Sequence, residues 1–402
     1  MHRRRAQLSE HGVVYPGTTR RPLRAGYAVL GRQPRGRRRV DIGEWRALVE
    51  EVAAAGDKRV CVSTEDFGSA GPEQARRIVG DLGGEQVHVV AVARRLDKLL
   101  PSQWQERVKS HRTRPYDSWL RGVLGTDTDD PDYKAVWSSH QIPNMIRRWQ
   151  PMVSPDRFHV VVTDDSDPRW LPHVFESLLG LPDDMLVLTD RLNSSLSGSA
   201  VELLRRLNGV FLREKWPDEV YFRLVQRGMI LALGEGSRSA LDAPIPAAPG
   251  WARQRMADLA AGHIEEIREL GVDVIGDLDV LRLAAGGVDE AAEPEAAQTI
   301  SIDAALRALD GTIRGAIALD AAHRKRRGPA ARKPASVAPA GRKSPPATGT
   351  PGARTHSAGK HVTDLADVPT TQLLQELRRR GSDRVSGWRD SVRATVSERV
   401  SR

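Results

Sequence analysis

Two residues eight positions apart carry the first chemical suggestion in this chain. Arg94 ends the apolar run at 87–93, and Ser102 follows Pro101 in the segment VHVVAVARRLDKLLPSQWQERVK. The run reads as a buried strand. Pro101 suits the first position of a helix, because its fixed φ is already helical and its missing N–H would go unused there. An arginine closing a strand and a hydroxyl opening a helix then converge on one point. That point would suit an anion: helix N-termini present free N–H groups and a positive dipole, and a guanidinium grips a phosphate with two bonds. The same spacing also fits an arginine paired with a nearby carboxylate and a serine that merely caps its helix.

A second strand end lies in VCVSTEDF, where Ser63, Thr64, Glu65 and Asp66 follow an apolar stretch. A carboxylate in that place could act as general base on a substrate hydroxyl or amine. Equally, Ser63 or Thr64 starts a turn and Glu65 is solvated. Lys109, Arg112 and Arg114 would line a cleft if their helix points away from the anion, or else form a solvated basic face. Trp104, two residues past Ser102, reads as core. The eleven histidines show no HxxxH or HxH pair, so a metal site is not expected. Asn193-Ser194-Ser195 matches a glycosylation acceptor, with no other sign of secretion.

The elements that must position these residues alternate. Strands are expected over 60–63, 87–93 and 158–163, with a helix over 72–82 between the first two. Strand, helix and strand make a right-handed βαβ unit with parallel strands. Further helices are expected over 101–110, 116–124, 141–149, 172–179, 199–208, 218–231 and 251–270. The fold class is α/β, a parallel sheet flanked by helices. Function is expected beyond the carboxyl ends of the strands.

Composition sets the limits. The chain has 402 residues, one cysteine (Cys61) and a net charge of +9. One cysteine excludes a disulfide framework and a CxxC metal site. No apolar run has the length of a membrane span, and MHRRRAQLSEHG has the charge of a signal peptide without its apolar stretch. The chain reads as soluble and cytoplasmic. Ten Lys or Arg and no Asp or Glu fall between Ala321 and Thr363, leaving the remainder at −1. The expected organisation is an α/β domain over 1–284, an acidic, alanine-rich linker and helix over 285–325, a disordered basic Pro/Ala-rich linker over 326–363, and short helices within 364–402. One of these, at 370–380, carries Leu373, Leu374 and Leu377 on one face.

Taken together, EHGVVYPG at 10–17, VSTEDF at 62–67 and ARRLDKLLPSQWQERVK at 93–109 resemble actinobacterial sulfotransferase-family proteins. FHVVVT at 158–163, NSSLSGSAVELLRRLN at 193–208 and GVDVIGDLDVL at 271–281 extend the resemblance over residues 1 to 284. It implies the P-loop NTPase-like sulfotransferase fold and 3′-phosphoadenosine 5′-phosphosulfate as co-substrate, with no metal. It also implies that Arg94 and Ser102 bind the 3′-phosphate and that Glu65 is the base. The acceptor would be a small molecule or a carbohydrate.

One departure stands out. The family's 5′-phosphosulfate loop, a strand followed by Pro-Lys-x-Gly-Thr-Thr and a helix, is expected before EHGVVYPG and is absent from the sequence. Tyr15-Pro16-Gly17-Thr18-Thr19 mimics it, but no lysine precedes Gly17 and Pro22 breaks the helix that the loop would need. Sulfuryl transfer depends on neutralising charge at the transferring group, so activity is expected to be impaired, and a strand is expected to be missing from the middle of the sheet. Two other function classes fit: a non-catalytic protein of this fold retained for interaction, and a basic tail that binds nucleic acid or anionic surfaces by counterion release.

Overall fold

The computed structural model describes residues 1–33, 39–187, 195–235, 240–283, 297 and 299–327. Helix α1 (Arg5–Glu10) leads to strand β1 (Val13–Val14), and α2 (Leu23–Val29) and α3 (Gly43–Ala53) separate it from β2 (Arg59–Val60). Helix α4 (Pro72–Asp81) precedes β3 (Val89–Ala93). Four helices come next, α5 (Leu96–Lys109), α6 (Tyr116–Leu124), α7 (Pro131–His140) and α8 (Ile142–Trp149), before β4 (Phe158–Val162). After β4 lie α9 (Trp170–Leu179) and α10 (Gly198–Arg213), then α11 (Asp218–Val220), a π-helix (Tyr221–Met229) and α12 (Ile230–Glu235). The last elements are α13 (Gly250–Leu270), β5 (Asp273–Ile275) and α14 (Ile302–Arg327).

The architecture is α/β, and among the described residues every strand pair is parallel. The strands form two sheets, β1-β2 and β3-β4-β5. The expected βαβ unit is therefore corrected: α4 joins strands of different sheets. Backbone bonds from Arg59 N to Gly12 O and from Cys61 N to Val14 O hold β2 to β1, while β3 pairs along its length with β4. In the larger sheet β4 is central and all five of its residues are buried, which is why every position but His159 is apolar. β3 lies at the edge and leaves Val92 40% exposed.

Helix α5 corrects a second expectation. It starts at Leu96, not at Pro101, so Pro101 lies inside the helix and Ser102 falls in its second turn. The cause is the apolar stripe Leu96, Leu100, Trp104 and Val108, all buried at helical spacing. Each such side chain contributes about 1.5–3 kcal/mol on burial. Ending the helix at Pro101 would forfeit Leu96, whereas Pro101 in the second turn gives up one bond, to the Asp97 carbonyl.

The chain divides into two compact units, Met1–Ala316 and Ile317–Arg402. In the first unit one core surrounds α5, α6, α10 and α13, and a second lies under β3 and β4 with Trp45, Trp149, Ile264 and Ile267. The helix expected over 302–325 forms as α14. Its first half joins the first core through Ala304 and Ala308, so that core extends past the boundary expected at 284. In the second unit the described residues are the end of α14. Residues 328–402, with the expected basic linker and terminal helices, lie outside the described residues, as do Asn193 and Ser194. Among the described residues no helix is long and apolar enough to cross a membrane.

Candidate functional site

The carboxyl ends of β3 and β4 stand side by side. Ala93 pairs with Val162, and Thr163 donates to the Ala93 carbonyl from its backbone N–H (2.9 Å) and its hydroxyl (3.2 Å). This tie places the residue after β3 opposite the loop after β4. Arg94 therefore meets Asp165: Nη2 lies 2.7 Å from Oδ1, and Nε lies 3.2 Å and 3.3 Å from the two carboxylate oxygens. A strand-end arginine in a fork-shaped grip is what the spacing anticipated; the carboxylate it grips belongs to the chain.

Arg94 also lines a cavity of about 40 Å³. That is room for one or two water molecules. Leu96 and Leu99 of α5, Ile142 of α8, and Ala260 and Ile267 of α13 supply apolar walls. Two imidazoles complete it, His140 at the end of α7 and His263 on α13. Trp137 meets the His263 ring edge-to-face at 6.0 Å. Burial holds His263 below the usual histidine range. Burial, with the Arg107 guanidinium second, brings His140 down to about 4. Both rings are thus neutral near pH 7, and each can accept or donate a proton to a guest.

The other expected residues are elsewhere. Ser102 does not line this cavity, and its place in the second turn of α5 removes it from the free N–H groups of the helix start. Glu65 opens a short 3₁₀ turn after β2, in the other sheet, and its side chain is 87% exposed, 3.8 Å from Arg21. Glu65 is thus the solvated carboxylate that the sequence also allowed. Asp66 takes the enclosed position instead, 14% exposed and 3.2 Å from Arg32, because the Thr64 cap turns its carboxylate inward. Lys109 pairs with Glu106, Arg114 with Asp130 and Asp132, and Arg112 is exposed. Trp104 is core, donating to the Arg114 carbonyl. The Gly17 N–H of the mimic loop donates to Glu51. Among the described residues no group of three His, Cys, Asp or Glu is set to hold a metal ion.

No family model, curated protein or solved structure matches this chain. What the arrangement can do is accordingly a question of geometry. Sequence reasoning found Arg94 but missed Asp165, His140 and His263. No local signal marks the two histidines: they come from separate helices far apart in the chain and meet only through packing.

At the opposite end of the larger sheet a polar chain crosses all three strands. His88 Nδ1 lies 2.9 Å from His159 Nε2, and His159 Nδ1 lies 2.6 Å from Asp273 Oδ2. Burial, then His159 and Arg157, holds His88 below its usual range. The rings stack at 5.2 Å.

Proposed function

We propose that this chain is a sulfotransferase-like protein, handling sulfuryl transfer from 3′-phosphoadenosine 5′-phosphosulfate to a hydroxyl or amine of a small molecule or carbohydrate. The observation that carries the reading is Arg94: a guanidinium at the carboxyl end of a parallel strand, one residue ahead of a helix N-cap and on the wall of a cavity. Open parallel sheets bind ligands at this end.

The residues present meet the nucleotide at one point. Arg94 reaches the cavity, Ser102 does not, and no glycine-rich phosphate loop occurs in the sequence. A 3′-phosphate would compete with Asp165 for the guanidinium. For the base, Glu65 is the residue the resemblance implies, while His140 and His263 are the titratable groups that share the cavity with Arg94.

A second reading is favoured by the Arg94–Asp165 pair itself, which leaves the arginine neutralised. On that reading the fold is kept for interaction and has no turnover. Transfer from radiolabelled co-substrate separates the two, using this chain and a version preceded by the in-frame codons upstream of Met1. Turnover in either, lost in Arg94→Ala, supports the sulfotransferase. No turnover and no nucleotide binding in both supports the interaction reading. If turnover is found, Glu65→Gln and His140→Gln identify the base.

A further inference from the structure

The first forty residues of the chain hold eleven arginines, no lysine and one acid, Glu10. Eight of these arginines lie among the described residues, and the fold gathers them. Arg5, on α1, reaches to the loop that follows β1. Its Nε lies 2.8 Å from the Tyr15 carbonyl oxygen and its Nη2 2.6 Å from that of Thr19, and the guanidinium carbon stands 5.2 Å from the centre of the Tyr15 ring. Arg20 and Arg21 come next in that loop. Arg21, at 4.0 Å, and Arg32, at 3.2 Å, share the carboxylate of Asp66. A row of guanidiniums therefore runs from α1, past the carboxyl end of β1, to the turn after β2. That is the end at which parallel strands bind ligands.

At the α1 end of the row the charges are fixed in place without being neutralised. Arg4 and Arg5 donate to backbone carbonyls, Arg4 to that of Val187 at 3.3 Å, and among the described residues neither makes an ion pair with a carboxylate. Their neighbours are cations. Desolvation, and after it the positive charges around the ring, with Arg5 foremost and Arg20 and Arg3 among the others, hold His2 below the usual histidine range. Arg5 and Arg20 also act together on the Tyr15 hydroxyl. Carboxylates stand at the other end of the row, Glu65 and Asp66 beside Arg21 and Glu44 beside Arg24, and Glu51 is engaged by the Gly17 N–H. Crowding like charges works against the compact state, and a bound polyanion would remove that repulsion.

We propose that this face binds the phosphodiester backbone of a nucleic acid. Three features select that partner. The cations are all arginine, whose planar fork matches pairs of phosphate oxygens. They form a row, as the electrostatic footprint of a repeating anion does. The face also lacks apolar anchors: among the described residues, no large hydrophobic side chain before Val92 stands exposed. An anionic membrane would find charge there with nothing to insert, and a protein partner would find no apolar centre. Backbone contacts carry no sequence information, so binding is independent of sequence.

Fluorescence anisotropy of the full chain with a short labelled DNA duplex, and with a single strand of the same sequence, tests this over a salt series. Binding should weaken steeply as salt rises. Arg3→Ala with Arg20→Ala, both at exposed residues, should reduce the slope of log affinity against log salt by about 2. Arg76→Ala with Arg213→Ala, also exposed and outside the row, should leave the slope unchanged. The basic segment after Ala321 offers DNA a second place, so the location is read by arginine modification with phenylglyoxal: bound DNA should protect Arg3, Arg20 and Arg39. Absence of binding to either DNA, a slope indifferent to Arg3 and Arg20, or protection confined to residues after Ala321 overturns the proposal. Retention on phosphatidylserine vesicles without binding to DNA overturns it in favour of a membrane.

Discussion

Arg94 and Asp165, 71 residues apart along the chain, hold each other through both carboxylate oxygens. The pair follows from the β3–β4 register, which sets the two strand ends side by side. Asp165 is thus a built-in competitor for any anion that approaches Arg94. Asp165→Asn should tighten binding of adenosine 3′,5′-bisphosphate, and Arg94→Ala should weaken it by about 1.5–3 kcal/mol, the range for hydrogen bonds to charged groups. Isothermal titration calorimetry checks both. Unchanged affinity in the two variants would remove Arg94 from the nucleotide site.

The two neighbouring carboxylates after β2 should behave differently. Glu65→Gln, at an 87% exposed side chain, should shift stability by less than about 0.5 kcal/mol. Asp66→Ala breaks the contact with Arg32 and the bond from the Thr64 hydroxyl, and should cost about 1–2 kcal/mol. Urea midpoints of the two variants give the comparison. Equal effects would mean that the inward turn of Asp66 adds nothing.

Acid should loosen the fold in a defined window. His140 titrates near 4 in the folded chain and near 6.5 when unfolded. Between those values the unfolded state binds more protons, so stability falls as pH drops from about 6.5 towards 4. The loss approaches about 3 kcal/mol at the lower end. His88, also held low, adds a loss of the same sign that begins in the same range. His140→Gln should flatten most of the slope in a series of denaturation curves. A slope identical to wild type would show that His140 ionises freely in the folded protein.

The inner face of α14 should tolerate nothing larger than glycine where Gly311 meets Gly228. Gly311→Ala brings a methyl within 2.6 Å of the Gly228 carbonyl and 2.7 Å of Ala232. Overpacking of this kind costs about 1–3 kcal/mol. Thermal unfolding should show it as a lower midpoint, whereas Ile313→Ala on the outer face should leave the midpoint unchanged. The reverse order would mean that α14 packs by its other side.

The parts of the fold legible in the sequence were those where local pattern and final environment agree. The run at 158–162 is apolar at every position but His159 because β4 is covered on both faces, and residues 116–124 carry the spacing of an amphipathic helix. Pro101 misled because its local preference for a helix start was outweighed by the burial of Leu96 one turn earlier. α3 and α7 were missed. Strand pairing was not legible either, because neither β2 nor β3 states its neighbour. At the site, Arg94 was visible as a strand terminus, whereas Asp165 and the two cavity histidines depend on contacts that no local window contains.

The parallel pairing of β4 also sets an order of events during synthesis. Its partner on one side, β3, is made well before it, but β5 supplies Asp273, 114 residues after His159. Until that stretch leaves the ribosome, the most apolar strand of the chain has one open edge. Pairing of such distant segments is slow, and an open strand edge in the interval invites association with other chains. A nascent chain stalled before Gly271 should therefore be held by chaperones or lost to aggregation, and the short β5, marginal by its size alone, decides when the larger sheet becomes safe.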